Sequence, residues 1–371
     1  MEGGNGQGRR IASIDALRGF DMFFITGGAA LIGGICAALG CGDGWLAAQM
    51  HHAKWVGFRH HDTIFPLFLF LAGVSWPFSL AAQRARGRTT GQIVRKALLR
   101  GLVLFLIGLS FGGILKFKPE FRLMSVLGYI GLSWTFAALI HMSVQTWWKR
   151  LAVAAALLAG HYCLTHFGVA PDAPAGAKPY DMEWTLVFYF DRMLWINHML
   201  WKGFEPESLF SLASGVALAL VGMSAGTALA CDRWTAKGKT GVLALGAGVC
   251  GLLTAVTVLL LGDPVIKQIW TASFVFAACA YSFAMLALFH WIVDVKGWTA
   301  WTGVFTPVGR NSILVYTLMM IGVTGAASGF LFGGLSGQVG AWKAAVNGLG
   351  FYLTTWFIAW YCARKNVFIK A

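Results

Sequence analysis

Long apolar stretches separated by polar connections are the dominant pattern of the 371-residue sequence. Ten of them hold roughly the 18–25 apolar residues that a helix needs to cross a hydrocarbon layer about 30 Å thick. They cover residues 20–40, 63–83, 97–115, 123–142, 147–166, 209–230, 241–261, 270–293, 310–329 and 342–363. The pattern predicts an all-α polytopic membrane protein with about ten transmembrane helices in one bundle.

The ninth stretch differs from the others because glycines interrupt it, among them Gly322, Gly325 and Gly329. A broken or re-entrant segment is expected there, since backbone that leaves the helix is costly where it meets lipid. No internal repeat is visible. Residues 1–371 are therefore predicted to form a single transmembrane domain, with residues 1–9 as a disordered N-terminal tail.

Charge decides the orientation of the predicted bundle. The sequence is 57% hydrophobic and only 12% charged, about half the charged fraction of a soluble protein. With ten crossings, both termini share one side, and that side carries 19 basic and five acidic residues. The opposite side carries ten of each, so the net charge of +14 belongs to one face. The positive-inside rule then predicts N-in and C-in termini, and the basic character gives no sign of nucleic-acid binding.

Two segments on the predicted exterior carry most of the polar chemistry. One is residues 41–62, and the other is the long connection 167–208 between the fifth and sixth helices. Loops of more than about 15 residues are usually functional or disordered. The carboxylates and tryptophans of residues 167–208 suit a sugar, and an interfacial aromatic belt with solvated acids is the equally open alternative.

Four histidines stand directly ahead of the second apolar stretch, in "HHAKWVGFRHHDTIF". Neither adjacent pair has the i,i+4 spacing of a helical two-ligand site, so no metal is expected. A neutral imidazole, with an ordinary pKa of about 6.5, is available as a base at neutral pH. Asp62, one residue before the apolar run, is placed to orient such an imidazole.

The connection "QRARGRTTGQIVRKALLR" has six basic residues on the predicted cytoplasmic side. Attraction to anionic membrane lipid explains such a cluster without further assumptions. A sharper hypothesis is a docking site for a polyphosphate ligand, because arginine side chains bind phosphate oxygens in pairs of hydrogen bonds.

Eight stretches together resemble one family, the heparan-α-glucosaminide N-acetyltransferases and their bacterial NagX-type relatives in the transmembrane acyltransferase group. They are "RIASIDALRGFDMF" (10–23), "HHAKWVGFRHHDTIFPLFLFLAGVS" (51–75), "FRLMSVLGYIGLSW" (121–134), "FDRML" (190–194), "NHMLW" (197–201), "FEPESLFS" (204–211), "IWTASFV" (269–275) and "PVGRNSILVY" (307–316). The resemblance runs in order over about residues 9–320.

The resemblance implies an acetyltransferase that takes acetyl-CoA from the cytoplasm and acetylates the amine of a glucosamine across the membrane. It implies that His52 is the active histidine, in the context His52-x-x-Trp55-x-Gly57, and that Asp62 supports it. The implied substrate contacts are Trp55, Asp191, His198 and Glu207. With a CoA donor implied, we expect the contacts to its phosphates to come from Arg84, Arg86, Arg88, Arg95 and Arg100, with Arg18 and Arg10 as further candidates. Asn311 matches a family motif and is a further cofactor-binding residue.

The sequence also departs from the family pattern. The segment 41–51 lacks the Asn- and aromatic-rich run of relatives, and Glu205 and Ser208 replace the usual Asp and Gly. No large region precedes residue 10, which makes a bacterial inner-membrane protein the expectation. The expected partners are a small amino sugar or glycan acceptor and membrane lipid, and the resemblance makes a homodimer plausible.

Two alternatives stay open on the sequence. His52 acts either as a base or as the carrier of a covalent acetyl group. The second alternative is that the protein is not an acetyltransferase but a transporter for amino sugars or cell-wall fragments, with the exterior connection as a lid. Helices interrupted by glycines are found in transporters too.

Overall fold

The computed structural model describes residues 11–117, 120–195, 198–200 and 204–368, and these residues are mostly helical. The helices of eight or more residues are α1 (Ala12–Ala38), α2 (His60–Ala85), α3 (Thr90–Phe111), α4 (Val126–Ser143), α5 (Trp147–Phe167), α6 (Leu186–Trp195), α7 (Leu209–Ala230), α8 (Ala236–Leu259), α9 (Ala272–Val295), α10 (Ser312–Met320), α11 (Val323–Gln338) and α12 (Lys343–Arg364). Within the described ranges, β structure is limited to isolated bridges and forms no strand.

Six of these helices, namely α1, α2, α4, α7, α8 and α9, are long and apolar enough to cross a membrane. The protein is therefore an α-helical, multi-pass membrane protein. Helices α3, α5 and α12 have similar lengths of 22, 21 and 22 residues but contain more polar or charged side chains. Every one of the ten predicted stretches overlaps a helix, while the count of ten crossings itself stays a prediction.

The predicted interruption of the ninth stretch is confirmed. Helices α10 and α11 are separated at Ile321 and Gly322, and their axes differ by 76°. Gly322 has a φ of +85°, in the left-handed region that residues with a Cβ rarely adopt. The change of direction therefore depends on glycine at that position.

The first helix begins earlier than the hydrophobic pattern indicated. Helix α1 starts at Ala12 rather than at residue 20, because the more polar turns containing Asp15 and Arg18 continue the same helix. A wider turn over Phe24–Gly28 interrupts it, and Gly27 there has a φ of +123°. Such wide turns bend a helix without ending it.

The described residues form two compact units. The larger comprises Trp55–Gly57 and Phe65–Ala284, as far as these are described. In it, α4 packs against α3 and α7, and α7 packs against α5. Helix α7 also lies backbone to backbone with α2, because a methyl group on Gly222 would collide with the carbonyl oxygen of Phe70. Small residues permit this close packing between membrane helices.

The second unit comprises Ile11–Lys54, Phe58–Ile64 and the described part of Met285–Ala371. In it, α1 crosses the short helix Thr306–Arg310, and α12 packs against both α1 and α11. The crossing uses two glycines. A methyl group on Gly19 would collide with the carbonyl oxygen of Phe305, and one on Gly309 would collide with that of Asp15.

Candidate active site

His52 and Asp62 form a hydrogen-bonded pair at the start of α2. The distance between His52 Nδ1 and Asp62 Oδ1 is 2.8 Å. An ionised carboxylate only accepts hydrogen bonds, so the imidazole donates its Nδ1–H and carries the lone pair of the neutral ring on Nε2. The Asp62 side chain is fully buried, whereas half of the His52 side chain is exposed. A buried acid therefore orients an accessible imidazole.

The position of Asp62 is fixed by the backbone around it. Its Oδ2 atom accepts hydrogen bonds from Arg59 N at 3.1 Å and Ala53 N at 3.2 Å. The Arg59 amide adjoins the N-terminus of α2, where a negative charge is also favoured by the helix dipole, and the Ala53 amide belongs to the segment that precedes the helix. Arg59 Nη1 in turn donates to the carbonyl oxygen of His52 at 3.2 Å. Asp62 thus lies in the first turn of a helix, and His52 lies on the non-helical segment that Asp62 and Arg59 tie to that turn.

The neighbouring histidines have different environments. The His61 ring lies edge-on to the His52 ring with centroids 4.5 Å apart, and the His60 ring lies against Phe24 at 4.1 Å. His51 is exposed. In the part of the chain that the structure describes, no three His, Cys, Asp or Glu side chains are grouped so that they could hold a metal ion.

Trp55 is held by the larger unit. Its Nε1 donates to the carbonyl oxygen of Tyr180 at 2.8 Å, and its ring packs in an apolar cluster that includes Phe188 and Ile266. The Tyr180 hydroxyl donates to the buried carboxylate of Asp263 at 2.7 Å. These contacts give Trp55 a structural role beside the substrate contact that the resemblance implies.

Replacing Trp55 with phenylalanine tests that structural role. We expect the free energy of unfolding to fall by about 1 kcal/mol, because the Tyr180 carbonyl loses its hydrogen-bond donor. The midpoint of thermal unfolding in detergent would fall by a few degrees, and Trp45→Phe, at a position that is 77% exposed, is the control. An unchanged midpoint together with a large rise in KM for the acceptor would instead favour direct contact between Trp55 and the substrate.

Two carboxylates of the exterior connection pair with one arginine that the sequence analysis did not single out. Arg122 pairs with both Glu205 and Glu207. Asp191 is buried and accepts a hydrogen bond from Ser208 Oγ at 2.9 Å. Glu205 and Ser208, the two residues that depart from the family pattern, therefore both make side-chain contacts within this chain.

Two of these acids are affected by burial. Burial raises the pKa of Asp191 to about 7, although the hydrogen bond from Ser208 opposes the shift. Burial also raises the pKa of Glu207 to about 7, against the lowering effect of Arg122 and with a further rise from Glu205. Both carboxyls consequently exchange protons near neutral pH.

His198 lies beside the same segment. Its Nδ1 atom is 3.1 Å from the carbonyl oxygen of Phe121, and its own carbonyl oxygen accepts from Leu123 N at 2.9 Å. With the ion pairs of Arg122, these contacts join the residues after α3 to those before α7. His198 is thus placed by backbone contacts next to Arg122.

The arginines of the predicted phosphate pool lie at the opposite end of α2 from Asp62. Arg84, Arg86, Arg88 and Arg95 are exposed around the connection between α2 and α3. Arg100 is half-buried, with its guanidinium 4.3 Å from the centre of the Trp134 ring. Arg10 lies outside the described residues. The exposure of the first four arginines is compatible with binding phosphate groups, and Arg88 Nη1 also donates to Gln83 Oε1 at 3.3 Å.

The remaining cofactor candidates belong to the second unit. Arg18 forms an ion pair with Asp15 at 3.7 Å. Asn311 is fully buried between the short helix Thr306–Arg310 and α10, and its Nδ2 is 3.5 Å from the carbonyl oxygen of Ala359. Its Oδ1 has no hydrogen-bond partner within the described ranges. Asn311 therefore retains an acceptor for a ligand or for water.

Comparison with known proteins gives two related enzymes. The chain is 23% identical to "Heparan-alpha-glucosaminide N-acetyltransferase" of Mus musculus and 24% identical to the protein of that name from Homo sapiens. The alignments cover 83% of this chain but 54% and 52% of the relatives, so the chain spans about half the length of the curated relatives it matches. No protein-family profile matches the chain. The comparisons confirm the resemblance that the motifs indicated: over most of its length, the chain is similar to the heparan-α-glucosaminide N-acetyltransferases.

Proposed function

We propose that the protein is a membrane-embedded acetyltransferase that moves an acetyl group from cytoplasmic acetyl-CoA to the amine of a glucosamine-type sugar on the other side. The observation that carries the proposal is the His52–Asp62 pair, with Nδ1 and Oδ1 2.8 Å apart and the second carboxylate oxygen held by two backbone amides. Similarity to two N-acetyltransferases over 83% of the chain supports the reaction class.

The proposed topology has ten crossings with both termini in the cytoplasm of a bacterial inner membrane. The one-sided charge distribution supports the orientation. Asp62 and Arg84 belong to the same helix, and the 22-residue step between them corresponds to about 33 Å, close to the hydrocarbon thickness. The two ends of α2 then lie near opposite membrane surfaces. A homodimer, which the resemblance implies, stays a prediction.

In the proposed reaction His52 is the base. A protonated amine is not a nucleophile, so the acceptor reacts as the neutral amine, and Nε2 takes the proton released as the nitrogen bonds to the acetyl carbon. The carbon–sulfur bond of the thioester breaks, and the CoA thiolate leaves and takes up a proton. Asp62 stabilises the imidazolium through Nδ1–H, as a buried carboxylate does in other acid–base pairs. In the acetyl-histidine alternative, Nε2 bonds to the acetyl carbon as the carbon–sulfur bond breaks and the CoA thiolate leaves. The neutral amine then bonds to the acetyl carbon, the bond to Nε2 breaks, and the imidazole takes up the proton that the amine releases.

The arginines of the α2–α3 connection fit the phosphates of acetyl-CoA. They are exposed, cationic and suited to paired hydrogen bonds with phosphate oxygens. In the proposal they hold the charged end of the donor at the cytoplasmic surface, because CoA phosphates cannot enter hydrocarbon. The acetyl end reaches inward toward His52.

Sealed vesicles test the proposal directly. The purified chain is reconstituted with labelled acetyl-CoA trapped inside and glucosamine only outside, and acetylated sugar is measured in the outer medium. We expect product from wild-type vesicles, and none from protein-free vesicles or when donor is absent. Product that forms only when donor and acceptor share one compartment would refute transfer across the membrane.

The same vesicles separate the enzyme from the transporter alternative. A carrier takes up labelled glucosamine without acetyl-CoA, whereas the proposed enzyme leaves the unacetylated sugar outside. A second labelling experiment without acceptor separates the two roles of His52. Acetyl label retained on wild-type protein and absent from His52→Ala would establish the covalent route, and its absence from both would favour the base.

A further inference from the structure

Three polar side chains of the larger unit, two of them basic, have no part in the proposed reaction. His141 lies in the last turn of α4, Arg150 in the first turn of α5, and Thr227 near the end of α7. Arg150 Nη1 donates to Thr227 Oγ1 at 3.4 Å, and His141 Nε2 is 3.5 Å from the same oxygen. A guanidinium and an imidazole thus converge on one hydroxyl group.

The hydrogen bonds available to these groups are few. Thr227 Oγ1 already donates to the carbonyl oxygen of Met223 at 2.9 Å, and Arg150 Nη2 donates to that of Gln145 at 2.9 Å. Arg150 Nε and His141 Nδ1 are buried and have no hydrogen-bond partner among the residues described. Buried polar atoms are normally paired, so this arrangement is incomplete as it stands.

The charge of the group is also uncompensated. Arg84 acts electrostatically on the same imidazole as Arg150 does. Over the ranges that the structure describes, neither arginine has a carboxylate within ion-pairing distance. Arg150 is only 6% exposed, and arginines that deeply buried are normally paired with an anion. The missing partner is therefore expected to be negatively charged and to come from outside these residues.

We propose that His141, Arg150, Thr227 and Arg84 form a binding site for a phosphate group. A phosphate ester has several oxygens, which can accept from the guanidinium and the hydroxyl together. Basic sites between helix ends near a membrane surface also bind the head groups of anionic lipids. The phosphate belongs either to a phospholipid head group or to a soluble phosphate compound. His141, Arg150 and Thr227 have no part in the proposed acetyl transfer, whereas Arg84 is also one of the arginines proposed to hold the CoA phosphates.

Thermal unfolding of the purified full chain in neutral detergent tests the site. One arm adds inorganic phosphate and compares it with sodium chloride at equal ionic strength. The other arm adds phosphatidylglycerol and compares it with phosphatidylcholine in the same micelles. A ligand that binds the folded state raises the unfolding midpoint, so we expect a rise in at least one arm. The arm that responds identifies the source, and no rise in either arm overturns the proposal.

Matched variants show whether the response belongs to this group. Arg150→Met should weaken the apparent affinity in the responding arm by about tenfold or more, since a hydrogen bond to a charged group contributes about 1.5–3 kcal/mol. Lys149→Met removes the same charge from the adjacent, exposed position and should leave the affinity unchanged. Equal weakening by both variants would mean general charge attraction and would overturn the site.

Arg84→Gln is a second test of the site, for the case in which Arg150→Met does not fold. Arg84 is exposed, so its replacement should leave the fold intact while lowering the affinity in the same arm. If Arg150→Met does not fold, Arg84→Gln decides alone. Full retention of affinity in Arg84→Gln, judged against Lys149→Met, then counts against the phosphate site.

Discussion

Replacement of His52 with alanine is expected to reduce kcat for acetyl transfer by about 10²–10⁴, the usual contribution of a positioned acid–base group. The loss follows because no other group at this position is oriented by Asp62 through a 2.8 Å hydrogen bond. The reaction is followed as acetylated glucosamine released from purified protein supplied with acetyl-CoA and the amine.

The change should leave the fold intact. Half of the His52 side chain is exposed, and Asp62 keeps its bonds to Ala53 N and Arg59 N. The unfolding midpoint should therefore match that of wild type, and His51→Ala, at the adjacent exposed position, should retain normal turnover. Ordinary turnover in a folded His52→Ala protein would remove His52 from the mechanism. Partial recovery on adding imidazole would support a lost base or carrier over a lost structural contact.

The second large effect concerns stability and the Arg122 ion pairs. Arg122→Met should lower the free energy of unfolding by about 3–5 kcal/mol, because it leaves two buried carboxylates without their cation. The side chains of Glu205 and Glu207 are 3% and 8% exposed, so water compensates them poorly. In detergent, the midpoint of thermal unfolding should fall by about 10 °C.

The pH dependence separates this explanation from a loss of packing. Burial raises the pKa of Glu207 to about 7 even with Arg122 present, so the variant takes up protons more readily still. Protonation removes the uncompensated charge, and the deficit relative to wild type should shrink as the pH falls from 8 to 5. A deficit that is the same at both pH values would indicate lost packing. Glu207→Gln, which keeps an acceptor for Arg122, should cost much less than Arg122→Met.

The long apolar helices could be predicted from the sequence because each uninterrupted apolar run is a sufficient local signal, whereas α6 lies inside the predicted connection 167–208 and was not predicted. The break between α10 and α11 was also predictable, because glycines interrupt the apolar run there. The hydrophobic run, which begins at residue 97, does not mark the start of α3, although the spacing Thr89-x-x-Gln92 is a local signal for it. Thr89 and Gln92 cap the helix seven residues earlier with reciprocal hydrogen bonds.

The candidate site was predictable only in part. His52 and Asp62 are ten residues apart on one short segment, so their pairing follows from a turn that leads into a helix. Arg122 pairs with glutamates 83 and 85 residues further along, and Trp55 bonds to a carbonyl 125 residues away. Contacts at such separations depend on how whole helices pack, and no local pattern specifies them. The residues next to Arg122 in the sequence do not distinguish it from the other basic residues on the predicted exterior.

The crossing of α1 with the short helix Thr306–Arg310 has a consequence for inherited variation. Every amino acid that a single-nucleotide change can put in place of glycine carries a Cβ. At Gly19 and Gly309 that atom would overlap a carbonyl oxygen of the opposing backbone. Neither site offers a flexible side chain that could move aside, so no missense allele is mild there. In a library of point mutants, both codons should remain glycine wherever the protein is required.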